Sequence, residues 1–259
     1  MLTIGFFIVS LISIIGVVSL LACKSRKSNN MNHTASKNKL EFGYNMAWIA
    51  VKSTDPAGVA QFLELENVCH ELYRYGIEAI HNQRRGDRYI YITPAHNGWV
   101  LIVGHALPFP LGTAFSDKCT PLIASLSQEF GESQYFLCYP ELDFFGWARA
   151  VNGHLQRAFI SGDEESIWNH GRLTIEELAL GLNLYDFRGV YKKNGDTGES
   201  IILIPTEAQV LAIASKWSIN PIVLSQKAGC STTTGFLADA PFYWSSETEI
   251  YNKVNSCRS

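Results

Sequence analysis

The sequence begins without acidic side chains and lacks the common catalytic signatures. None of its 24 acidic residues lies before Glu41, and residues 1–23 carry no charged side chain at all. The phosphate-binding patterns G-x-x-x-x-G-K-[ST] and G-x-G-x-x-G do not occur. The G-x-S-x-G pattern of a serine nucleophile is missing as well. These absences exclude the familiar nucleotide-binding loops and the nucleophile elbow, so the sequence indicates no enzyme class.

Cysteine is scarce and its spacing does not suit a metal site. Six cysteines are present, and no two of them form a C-x-x-C pair. Cys23 belongs to the N-terminal segment, and the remaining five are an odd number, which excludes a fully paired disulfide framework in the body. The spacing also argues against a zinc knuckle. No cofactor is implied.

The charges that are present divide the chain into a basic start and an acidic body. Five of the 21 basic residues precede position 41, so residues 41–259 hold 16 basic and 24 acidic side chains, a net charge of −8. Nucleic-acid binding depends on Lys and Arg contacts to phosphate, so we expect no nucleic-acid partner. An acidic body fits a basic protein partner, although acidity also serves solubility alone.

Residues 1–23 predict attachment to a membrane. Residues 2–23 supply the roughly 20 apolar residues that a bilayer-spanning helix requires. Basic residues, beginning with Lys24, follow directly, and the positive-inside rule then keeps the body in the cytoplasm. Residues 24–40 are expected to form a polar, basic tether.

Two other interpretations of this segment stay open. The sequence Leu20-Leu21-Ala22-Cys23 resembles a bacterial lipobox, in which Cys23 would carry the lipid of a lipoprotein facing the periplasm. The third interpretation is a plain cleaved signal peptide. Both lack the Lys or Arg that normally precedes the apolar run of a signal peptide, so we favour the single-pass inner-membrane anchor.

The body, residues 41–225, predicts one α+β domain with a mainly antiparallel sheet and helices on one face. Between 47 and 139 the patterns give strand, helix, strand, strand, helix, strand, an order that permits a ferredoxin-like βαββαβ sandwich. Asp55-Pro56 marks one helix start. Thr174-Ile175-Glu176-Glu177, a capping box, marks another.

Added hairpins are expected after the sandwich. Asn152-Gly153 between two β-rich runs indicates a two-residue type I′ turn. A second hairpin is predicted between 187–191 and 200–204. Residues 226–259 are rich in Ser, Thr and Gly and predict a C-terminal tail, whose Phe242-Tyr243-Trp244 cluster packs back on the domain.

The seven histidines do not match a known metal motif. A zinc helix requires a second His four positions after the first, and position 74 after His70 is Arg. His70 and His81 are therefore expected to be surface residues of a helix. His105 follows a predicted strand at a sheet edge, where sites often occur, although no nucleophile is assigned to it.

The acidic run Asp163-Glu164-Glu165 follows the Asn-Gly hairpin. Its ordinary interpretation is a solvated loop. The alternative is a patch that binds a protein partner, with Trp168 as an aromatic anchor.

Three pieces of the chain, Ala47–Val51, Gly98–Val103 and Ser127–Gly131, resemble a scattered family of uncharacterised bacterial proteins. The resemblance covers about residues 44 to 225 and implies no activity and no site residues. The tether, the acidic body and the missing catalytic signatures together favour a membrane-tethered, non-enzymatic binding protein, of the kind that neutralises a bacterial toxin as its immunity partner. The alternative is an envelope-associated hydrolase whose site is assembled from scattered residues such as His105.

Overall fold

A computed structural model describes residues 45–82, 86–110, 117–162, 165–182, 193–194, 199–200, 205–228 and 233–244. The chain divides into two units, residues 1–40 and 41–259. The predicted anchor 1–23, Cys23, the tether 24–40 and nearly all of the hairpin predicted around 187–204 lie outside the described residues. Within those ranges, no helix is long and apolar enough to cross a bilayer.

The second unit is an α+β domain built on a large antiparallel sheet. Its strands are β1 (Met46–Val51), β2 (Glu66–Leu72), β3 (Tyr89–Ile92), β4 (Val100–Val103), β5 (Glu132–Tyr139), β6 (Phe144–Val151), β7 (His154–Gly162), β8 (Glu165–His170), β9 (Lys193–Asn194), β10 (Glu199–Ser200) and β11 (Thr234–Asp239). Nine of them form one sheet in the order β2-β11-β3-β4-β1-β5-β6-β7-β8, and β9 pairs with β10 separately. Every pairing is antiparallel.

The helices are α1 (Pro56–Phe62), α2 (Tyr73–Ile80), α3 (Cys119–Phe130), α4 (Ile175–Ala179), α5 (Glu207–Trp217) and α6 (Pro221–Ala228). The predicted helix starts are confirmed. Asp55 accepts a hydrogen bond from Ala57 N and Pro56 is the first residue of α1. Thr174 and Glu177 form the capping box of α4.

Helices cover both faces of the sheet, so the expectation of helices on one face is wrong. Strand side chains alternate between faces, and the sequence of β1 is apolar at every position. We call the face to which Ile49 points the first face; α1 and α3 pack there. The second face, to which Trp48 points, is covered by α2, α5 and α6. An all-apolar central strand requires cover on both sides.

The segment between α1 and β3 holds more structure than the sequence indicated. It contains β2 and α2, so the observed order over 46–139 is strand, helix, strand, helix, strand, strand, helix, strand. A simple βαββαβ sandwich is therefore not confirmed as a complete description of this part of the domain.

The predicted C-terminal tail begins before the sheet is complete. Strand β11 lies inside the sheet and pairs with β2 on one side and β3 on the other. Its apolar positions explain this placement, because Leu237 enters the second-face core and Ala238 the first-face core. The boundary at residue 225 is thus not the end of the domain.

Tyr91 fastens β11 to β2 through its side chain. The backbone N–H of Gly235 donates to the Tyr91 hydroxyl at 3.2 Å, and that hydroxyl donates to the carbonyl of Glu71 at 3.1 Å. A Cβ at Gly235 would lie 2.1 Å from the Ile92 carbonyl, and one at Gly76 would lie 2.3 Å from the Tyr91 ring. A Cβ at Gly235 would also lie 2.7 Å from the Tyr91 hydroxyl, so both glycines leave room for the Tyr91 side chain, which crosses β11 to reach β2.

The Asn152-Gly153 turn between β6 and β7 is confirmed as a primed turn. Asn152 has φ +49° and Gly153 has φ +82°, the left-handed values that a type I′ turn requires. The turn also touches α3, since Gly153 N donates to Ser127 Oγ at 2.9 Å.

Replacing Gly153 with Val is expected to destabilise the domain by about 1 kcal/mol or more, because a β-branched residue resists positive φ. The new Cβ would also meet Gln128 Oε1. Denaturant unfolding of the full chain in detergent measures the change. Asn152→Gly is the matched control, since glycine accepts the same φ. Equal unfolding midpoints for Gly153→Val and the parent chain would contradict the prediction.

Candidate functional site

Two histidines meet at one end of the central strands, and we call them the histidine pair. His81 caps the C-terminus of α2, where its N–H donates to the Ile77 carbonyl at 3.1 Å. His105 comes two residues after the end of β4. Their ring centroids are 5.9 Å apart and the ring planes are inclined by 74°. The two side chains are 24 positions apart in sequence.

The register of the sheet brings a third polar side chain to the pair. Both β4 and β5 are antiparallel to β1, with Val103 opposite Trp48 and Cys138 opposite Met46. The C-terminal ends of β4 and β5 therefore meet at the start of β1. Tyr139, the last residue of β5, consequently places its hydroxyl 3.4 Å from His105 Nδ1.

Burial sets the protonation of the site. It lowers the pKa of His81 below its ordinary value near 6.5, and the neighbouring His105 lowers it further. Burial also lowers the pKa of His105, while the Asp87 carboxylate raises it in part. The pKa of the Tyr139 hydroxyl is raised by burial, an effect that a backbone hydrogen bond with Ala47 only partly offsets. At neutral pH both imidazoles are therefore neutral and the phenol stays protonated.

This arrangement can accept protons, donate a hydrogen bond or bind an electrophilic centre. A neutral imidazole is both a general base and a ligand. Among the described residues, no Ser or Cys side chain is hydrogen-bonded to either ring. In the same part of the chain, no group of three or more His, Cys, Asp or Glu is placed to hold a metal ion.

The structure brings together only some of the residues that the sequence singled out. His105 lies in the pair, and His81, expected on the surface of a helix, is half-buried beside it. That expectation was wrong because the α2 C-terminus turns toward the sheet, and no local pattern around His81 signals this. The 24 positions between the two histidines give no indication from sequence that their rings are neighbours.

The predicted acidic patch is described only in part. Asp163 and Glu164 lie outside the described residues, and Glu165 begins β8. Trp168 is half-buried and packs against the first-face core. Its ring is therefore committed in part to the domain, because it lies on the first-face side of β8, an edge strand of the sheet.

The C-terminal aromatic cluster packs back on the domain through one ring only. We call Phe242–Trp244, a single 3-10 turn, the aromatic turn. Trp244 is buried in the first-face core, whereas Phe242 is 74% exposed and Tyr243 is 63% exposed. Three consecutive side chains in one helical turn cannot point the same way, so the burial of Trp244 leaves the other two outward.

A second group of buried polar side chains surrounds an ion pair between Arg157 and Glu177. The Arg157 Nε donates to both carboxylate oxygens of Glu177, at 2.9 and 3.1 Å, and both side chains are fully buried. Glu177 also accepts from Trp147 Nε1 at 2.8 Å and from Thr174 N at 2.7 Å. Arg157 Nη1 donates to Asn169 Oδ1 at 2.7 Å. The network is satisfied within the fold, so its role is to join β6, β7, β8 and α4.

Comparison with protein-family models, with curated proteins and with solved structures finds no match to this chain. The resemblance to an uncharacterised bacterial family therefore stays a prediction.

Glu177→Ala is expected to destabilise the domain by about 3–5 kcal/mol, because it leaves the Arg157 guanidinium buried without a counter-charge. Denaturant unfolding of the full chain gives the magnitude. Glu176→Ala, one residue earlier on the same short helix, is the matched control and is expected to change stability far less. Similar losses in the two variants would mean that the buried pair is not the cause.

The histidine pair predicts a loss of stability in mild acid. Because the pKa of each imidazole is lower in the folded chain than in the unfolded chain, the unfolded state binds more protons below about pH 6.5. Stability is therefore greatest above that pH and falls as the pH drops through it. Melting temperatures between about pH 7.5 and 5 should fall less in a His81→Gln, His105→Gln double variant. A parallel fall in both proteins would exclude the pair as the source.

Proposed function

We propose that this chain is a non-enzymatic binding protein that is tethered to a membrane through residues 1–23 and recognises a protein partner. The observation that carries the proposal is the aromatic turn, which holds two large aromatic side chains in solvent. Large exposed apolar groups that are fixed in place are informative, whereas single flexible ones are not.

The aromatic turn is attached to the domain at both ends. Buried Trp244 anchors one end, and at the other end the backbone N–H of Ala240 donates to the Arg88 carbonyl at 2.8 Å. Phe242 and Tyr243 lie between these two fixed points. Aromatic side chains dominate the energetics of protein interfaces, and a fixed ring loses little conformational entropy when a partner covers it.

Charge supports a basic partner. The body carries a net charge of −8, and Asp163-Glu164-Glu165 with neighbouring Trp168 remains the acidic patch that we propose for the encounter. Complementary charge of this kind mainly raises association rates. A secreted toxin with a basic surface is the partner class that we propose, and the chain would act as its immunity protein.

The form of membrane attachment decides on which side of the membrane the body meets its partner. We propose a single-pass anchor in the inner membrane with the body in the cytoplasm, where an incoming toxin would be met. The lipoprotein alternative, with lipid on Cys23, would place the body in the periplasm instead.

One observation favours a second function, an envelope-associated hydrolase. The neutral histidine pair beside the protonated Tyr139 hydroxyl has the composition of an acid–base site. In this function His105 would activate water.

The strand order also supports a proposal about the fold of the domain. Strands β3, β4, β1 and β5 lie side by side in the sheet, and α1 and α3 pack on one face of them. We propose that they form a ferredoxin-like unit into which β2 and α2 are inserted.

Site-specific photo-crosslinking tests the binding function. A photoreactive residue at position 242 of the membrane-tethered chain, expressed in bacteria, is expected to give a discrete adduct with one protein. The same residue at position 142 is the control, because Leu142 is also exposed but lies on a different turn. Mass spectrometry of the adduct identifies the partner and its charge.

The identified partner is then used for a binding measurement. Phe242→Ala with Tyr243→Ala should weaken its binding by about 30-fold or more, the loss typical of an interface hot spot, while Leu142→Ala leaves it unchanged. Equal adducts at both positions would contradict the proposal. Turnover of an envelope substrate that His105→Gln abolishes, together with no adduct at position 242, would favour the hydrolase.

A further inference from the structure

The histidine pair contains a polar atom that has no hydrogen-bond partner among the residues that the structure describes. The Nε2 atom of His81 is inaccessible to solvent and makes no hydrogen bond with the described residues. Leaving a buried donor or acceptor unsatisfied costs about 1–3 kcal/mol. Natural proteins seldom retain such an atom unless a bound water or ion satisfies it.

The second ring of the pair is already oriented. The Nδ1 atom of His105 lies 3.4 Å from the Tyr139 hydroxyl, which leaves Nε2 of the same ring as its other coordinating atom. Metal-binding histidines characteristically use one nitrogen for the ion while an outer hydrogen bond holds the other and fixes the ring. Tyr139 is therefore a positioning residue for His105.

The separation of the rings suits one shared ion. Zinc binds imidazole nitrogen at about 2.0–2.1 Å with tetrahedral geometry, so the centroids of two imidazoles on one zinc ion lie about 5 Å apart. The observed 5.9 Å exceeds this separation by less than about 1 Å, a difference that a small rotation of either side chain removes.

We propose that His81 and His105 bind one divalent transition-metal ion of the zinc, copper or nickel class through their Nε2 atoms. Imidazole nitrogen is the ligand that these ions share. Water completes the coordination, because the described residues add no third His, Cys, Asp or Glu in ligand position. The carboxylate of Asp87, which interacts electrostatically with His105, adds negative charge nearby.

A metal ion binds only an imidazole nitrogen that carries no proton. Binding should consequently be strongest at neutral pH and should weaken in acid, where protons compete for the same nitrogens. Neither histidine belongs to the aromatic turn, so metal binding and partner binding can be tested separately.

Calorimetric titration of the chelator-treated, full-length protein in detergent with Zn²⁺, and separately with Ni²⁺, tests the site. We expect one ion per chain. His81→Gln and His105→Gln should each weaken binding by about 100-fold or more, and Tyr139→Phe by about 10-fold, as outer hydrogen-bond partners of metal ligands do. His154→Gln, an exposed histidine of the β6–β7 hairpin, is the matched control and should bind as the parent chain does.

A second measurement needs no variant and so does not depend on how the variants fold. Zn²⁺ should shift the imidazole ring signals of two of the seven histidines in the NMR spectrum and leave the other five unchanged. Retention of parent-like affinity in His81→Gln and His105→Gln, or no shift of two histidine rings at saturating Zn²⁺, overturns the proposal.

Discussion

Strand β1 is buried on both faces, and the arrangement of the other elements depends on that burial. None of its six residues is more than 1% exposed, and it is the middle strand, with four strands on each side. Because neighbouring side chains point to opposite faces, Trp48 and Ile49 require separate cores. One layer of helices cannot supply both. The chain therefore places helices on each face, and His81, which follows the second-face helix α2, lies beside His105, which follows β4.

Turns and helix starts could be predicted from neighbouring residues, whereas strand pairing between distant segments could not. The Asn152-Gly153 turn and the starts of α1 and α4 follow from residues within four positions of each other, and all three are present. Strand β11 could not be predicted in the same way, because its partners in β2 lie more than 160 positions earlier. The same limit applies to the site, because His81 and His105 become neighbours only when α2 packs against the sheet.

The buried polar groups of the domain fall into two kinds with different consequences. Arg157 and Glu177 satisfy each other and their surroundings, and so they specify how β6, β7 and α4 join. His81 Nε2 is buried but unsatisfied by the described residues. A satisfied network is complete without a ligand, whereas an unsatisfied atom shows where the fold alone is insufficient. Because Gln134 Oε1 and Tyr135 Oη are also buried without a hydrogen bond to the described residues, it is the neighbouring imidazole of His105 that makes His81 a candidate site.

The position of β11 has a consequence for the biosynthesis of the protein. Strands β2 and β3 leave the ribosome on the order of ten seconds before β11, at typical rates of synthesis, yet β11 lies between them in the finished sheet. Until then each keeps an open edge, the feature of β structure most prone to aggregation. The unfinished sheet therefore has a gap between β2 and β3, and its nine strands become continuous only after Thr234–Asp239 has been made.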